Sequence, residues 1–112
     1  MKYNGIKKEN AFGMVLVNKM TDTVEYVHAY SECYIAQIAA INKLIAHRDD
    51  KDKLYRTYVL DNDMYCKYSY CLYDNEIMSL PGGFLDEMLS EKIVQFAYDE
   101  LFHELCSKLF GG

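Results

Sequence analysis

The chain has 112 residues, 51% of them hydrophobic and 26% charged, which is enough for one domain with its own core and far from the composition of a disordered segment. A formal net charge of -5 and a pI near 5.1 exclude the broad basic face of a general nucleic-acid binder. No apolar run approaches the ~20 residues of a spanning helix and no signal-peptide pattern opens the chain, so a cytoplasmic protein with free thiols is expected and no membrane partner.

The acidity is uneven. Residues 1–56 carry nine Lys/Arg against seven Asp/Glu, and residues 57–112 carry three against ten, giving +2 and -7. A surface of the second kind steers basic partners. Two Arg against ten Lys, no Trp and one Pro are what AT-rich coding favours, and suggest a bacterial or phage source.

Residues 1–10 form a polar lead-in without periodicity. The spacing then predicts a hairpin over 12–30, from two β-rich runs, Phe12 to Asn18 and Val24 to Tyr30, around the short loop Lys19 to Thr23. Both alternating sets of the first run are apolar, so that strand is expected to be covered on both faces. Ser31 is the expected N-cap of a helix over 31–47. Tyr34, Ile38, Ile41 and Ile45, joined by Ile35, recur at helical spacing and are predicted to pack on the sheet.

After the charged loop Arg48 to Lys53 comes a second predicted hairpin, over 54–73, turning at Asp61-Asn62-Asp63. Leu80-Pro81-Gly82-Gly83 reads as a turn. A helical region follows over 84–110, either one helix or two with Ser90 capping the second. Gly111-Gly112 behind it reads as a helix terminus rather than a conjugation tail. The expected fold is therefore a single compact α+β domain of ββαββα order, with a four-stranded antiparallel sheet and helices packed on one face.

Six of the eleven tyrosines fall between Leu54 and Asp74. Tyr68 and Tyr70 share one strand parity, Tyr65 and Tyr73 the other, and Tyr26 lies with Tyr30 on the second strand. Tyrosine gives large contact area at low entropy cost, so these six are candidate partner-binding residues. Asp99, Glu100 and Glu104 on the acidic C-terminal helix are candidates for steering. Base stacking on nucleic acid is disfavoured, because Lys53, Arg56 and Lys67 are balanced by Asp61, Asp63 and Asp74.

Signals for chemistry are weaker. Cys66 and Cys71 are five apart, which in a regular strand sends them to opposite faces, and no second Cys/His pair completes a zinc site. Glu100 and His103 form an E-x-x-H, but a metal site of that kind needs matching ligands from other helices. Ala36 to Ala46 followed by Val59-Leu60-Asp61 resembles, in element order, the ribonuclease H folds. Gln37 stands where those carry a catalytic Glu, and the carboxylate cluster of two-metal chemistry is missing. Gly82-Gly83 lacks the Lys-Ser/Thr of a P-loop.

The expectation is thus a non-enzymatic, cofactor-free, acidic protein-binding module, in one version an inhibitor that occludes a nucleic-acid-handling enzyme. The alternatives are a metal-dependent enzyme using His103 with neighbouring carboxylates, and a homodimeric structural domain whose tyrosine face is consumed by self-association.

Overall fold

A strand whose two faces are both apolar needs two covers, and the fold supplies them. The structure is a computed structural model that describes residues 12–50 and 54–109, with side chains described to residue 100. Strand β1 (Phe12–Asn18) pairs antiparallel with β2 (Thr23–Tyr30) on one side and β3 (Tyr55–Leu60) on the other. Strand β4 (Tyr65–Tyr73) follows on β3, and β5 (Glu76–Leu80) on β4. The sheet order is β2-β1-β3-β4-β5, and the two-residue β6 (Gly83–Phe84) also pairs with β4.

Met14, Leu16, Tyr55, Val59 and Tyr70 meet Ala36, Ala40 and Leu44 of helix α1 (Cys33–Ala46) in one core. Val15, Val17, Val24, Tyr58, Leu60 and Cys66 meet Ile93 of helix α2 (Glu87–Leu109) in a second core. The helices therefore lie on opposite faces of the sheet. This corrects the four-stranded sheet, the ββαββα order and the one-face packing expected from the sequence. The domain is α+β, but its order is ββαββββα and it has three layers. With β1 and β3 apolar on both faces, a single layer of helix would leave Val15, Val17 and Leu60 in water.

Local chemistry explains most boundaries. Asp61 Oδ1 accepts from the backbone N–H of Asp63 at 2.8 Å and of Tyr65 at 3.1 Å, the side-chain turn expected there. Asp74 and Asn75 have φ of 51° and 64°, a two-residue hairpin turn that launches β5. The chain reverses at this turn and not at Pro81, where the sequence predicts the turn. Glu32, not Ser31, occupies the N-cap of α1, without a side-chain cap bond. Asp86 caps α2, its Oδ1 accepting from the Leu89 N–H at 2.8 Å. One continuous helix then runs past Ser90, so the two-helix alternative falls. The lead-in over 1–10 and Gly111-Gly112 lie outside the described residues.

Two bulges re-aim side chains. In the β1–β2 ladder Leu16 faces Tyr26 and Val17 faces Val24, so Glu25 is an extra residue in the edge strand. In the β3–β4 ladder Val59 faces Tyr68 and Leu60 faces Cys66, so Lys67 is extra in β4. Each extra residue shifts the inward and outward alternation of everything beyond it.

Candidate functional site

Helix α1 reads CYIAQIAAINKLIA, with Lys43 as its only charged residue. Two apolar stripes compete for the sheet on such a helix, and the smaller side chains win. Ala36, Ala40 and Leu44 are fully buried, because short side chains let the helix axis approach β1 and β3 closely. The orientation is pinned on both flanks. Gln37 Nε2 donates to the Tyr70 hydroxyl at 2.9 Å on β4, and Lys43 Nζ sits 3.8 Å from the ring centroid of Tyr26 on β2. At the C-terminal end His47 packs against the Tyr55 ring at 4.5 Å, with its Nδ1 2.9 Å from the Asp50 carboxylate.

The larger stripe is left outside. Tyr34 is 59% exposed, Ile38 51%, Ile45 41% and Ile35 37%, while Ile41 is partly buried against the core. This overturns the expectation that Tyr34, Ile35, Ile38 and Ile45 pack on the sheet, while Ile41 packs there as expected. Hydrophobic periodicity marked the stripe correctly but carried no information on which way it turns. Tyr34 keeps its hydroxyl by the Glu32 carboxylate, whose hydrogen bond and negative charge raise the phenol above its ordinary range.

The tyrosines do not form one face. On β2, Tyr26, His28 and Tyr30 make a ladder with ring centroids 6.1 Å and 4.8 Å apart. Partial burial, and then the neighbouring Tyr26, push the Tyr30 phenol up. The Lys67 bulge puts Tyr68 and Tyr70 opposite Val59 and Thr57, toward α1, and strand alternation places Tyr65 on that side also. Tyr65 therefore shares a face with Tyr68 and Tyr70, not with Tyr73 as its parity had suggested. Tyr70 is buried and Tyr73 exposed. Tyr65 meets the exposed ring of Phe84 edge-on at 4.9 Å.

The same bulge corrects the cysteines. Cys66 faces Leu60 and Cys71 faces Arg56 in the ladder, so both thiols lie on the α2 side rather than on opposite faces. Burial pushes the Cys66 thiol up, and the thiol donates to the Tyr68 carbonyl at 3.2 Å. Cys33, Cys66 and Cys71 are free. Asp99 and Glu100 are exposed on α2, Asp99 accepting from Gln95 Nε2 at 2.9 Å. The side chains of His103 and Glu104 lie outside the described residues.

Among the described residues no three His, Cys, Asp or Glu groups converge to hold a metal ion, and no helix is long and apolar enough to cross a membrane. A cleft of about 320 Å³ at the end of α1 is lined by His47, Arg48, Asp50 and Asp74 together with Leu44, Leu54 and Leu72, a surface of mixed polar and apolar character. No family model, curated protein or solved structure matches this chain. The feature that stands out physically is the outward stripe of α1. It offers contact area and no reactive group.

Proposed function

We propose that this protein is a small protein-binding module acting through the outward face of α1. The observation that carries the reading is the inversion of that helix, whose Ala36 and Ala40 face the sheet while Tyr34, Ile35, Ile38 and Ile45 face water. Contiguous apolar area of this kind on a small domain is a mark of protein contact. Its chemistry favours protein over other partners. The stripe carries no Lys or Arg for phosphate or lipid headgroups, and Lys43 is folded onto Tyr26.

The acidic face of α2, with Asp99 and Glu100, adds long-range steering toward basic surfaces. One version of the reading is a cytoplasmic bacterial or phage inhibitor that occludes a nucleic-acid-handling enzyme, its carboxylates meeting a groove built for phosphates.

The test is affinity capture from a host lysate with the tagged chain and with Ile38→Asp, an exposed site where the fold tolerates a charge. Proteins retained by the parent should be lost from Ile38→Asp at both low and high salt. Asp99→Lys with Glu100→Lys should lower retention at low salt only. If Ile38→Asp, folded by circular dichroism, retains the same proteins in the same yield, the reading is wrong.

A further inference from the structure

The outward stripe of α1 has an internal order that bears on what covers it. The exposed Tyr34, Ile38 and Ile45, with the partly buried Ile41 at the inner edge of the stripe, are spaced four, three and four apart, the d-a-d-a spacing of a coiled-coil seam over nearly two heptads. The series is also symmetric about the Ala39–Ala40 midpoint. Laid antiparallel on itself, Tyr34 falls opposite Ile45 of the second copy and Ile38 opposite Ile41, so every layer pairs a with d. We propose that α1 is a self-complementary seam and that its occupant is a second copy of this chain, docked antiparallel about a two-fold axis at residues 39–40. This rests on the reading of α1 as a protein-docking surface, and names the partner for it.

Four observations fit a copy of itself. The pairing is isologous, so one stripe supplies both halves of the contact and two chains close the assembly. No like charges meet, because Gln37 and Asn42 flank the seam and Lys43 is turned onto the Tyr26 ring. Antiparallel helices also set opposite dipole ends side by side. As for size, a 14-residue helix is about 21 Å long, and two such faces bury on the order of 1,000 Å² in total, the low end of specific interfaces. The expected dimer is reversible, with both α2 helices on its outside, since α2 lies on the far face of each sheet.

The experiment is sedimentation velocity of the purified full chain from about 2 to about 200 µM, a range that covers the weak, reversible association a contact this small supports. The weight-average coefficient should climb from monomer toward dimer. Ile38→Asp, with an unchanged circular dichroism spectrum, should weaken association at least tenfold. The register has its own test: Tyr34→Lys and Ile45→Glu chains should each associate poorly alone and recover when mixed, because position 34 meets position 45. A monomer throughout the range, a dimer indifferent to Ile38→Asp, or no recovery on mixing overturns the proposal. A monomer whose lysate capture still depends on Ile38 overturns self-pairing while the docking reading stands. A monomer with no such dependence overturns both.

Discussion

A methyl group measures how closely the chain passes β4 at Gly82. A Cβ there would overlap the carbonyl oxygen of Cys66, a backbone atom with no freedom to swing aside. Its neighbour Gly83 has φ of 137°, a conformation that side chains resist, and pairs with Cys66 in β6. Gly82→Ala is therefore expected to cost about 1–3 kcal/mol of stability, read as a lower urea midpoint with unchanged slope. The sequence reads Leu80-Pro81-Gly82-Gly83 as a turn, but β5 and β6 pair with β4 in one direction and one register, so the chain runs straight on there instead of reversing. Sequence reading could not see the close approach, which depends on where β4 lies. The extra residue Lys67 was hidden for a similar reason. A bulge leaves the composition of a strand intact and changes only its count against a neighbour, and that shift is what moved Tyr65 and Cys71 to unexpected faces.

At the scale of the element, α1 shows what periodicity can and cannot decide. Its 3.6-residue pattern was plain, but the helix carries two stripes roughly a third of a turn apart, and the pattern does not rank them. Ala36, Ala40 and Leu44 take the sheet and pack with Met14, Leu16 and Val59. This orientation makes a paired prediction. Ala40→Leu must find room at a site with no exposure and should destabilise by about 1–3 kcal/mol. Ile38→Ala, at an exposed site, should stay within about 0.5 kcal/mol of the parent. Chemical denaturation of both variants checks the order. A helix seated on its isoleucines would give the reverse, with Ile38→Ala the damaging change. The second helix was legible in extent but not in continuity. Ser90 looked like a cap, whereas Asp86 already satisfies the first turn.

For the molecule as a whole, the sheet is a wall shared by two cores. Leu44 on one side and Ile93 on the other are both fully buried, and β1 contributes alternate residues to each side. Leu44→Ala and Ile93→Ala should each cost about 2–5 kcal/mol. In both variants tyrosine near-ultraviolet and helical far-ultraviolet signals should melt together, because neither core has a strand of its own. An early, separate loss of helix in Ile93→Ala would show that α2 is an independent layer. Of this architecture the α+β class, both main hairpins and α1 could be read from the chain. The three-layer arrangement was implied by the doubly apolar β1 and was missed, since strand β5 lay in a stretch read only as turn. The candidate site was not legible as one: periodicity groups Tyr34, Ile35, Ile38 and Ile45 into a stripe but assigns it to the core, because its direction is set by packing that no single segment encodes.

Glu25 has a consequence for how far any assembly of this protein can grow. It is the surplus residue of the outermost strand, and its carboxylate accepts from the Tyr55 hydroxyl at 3.1 Å. A foreign strand laid against β2 would lose its ladder at that point, and the twist of the bulge turns the edge away. Crowded chains thus find a poor template for open-ended fibres along that side. At that edge the sheet stops at its own boundary.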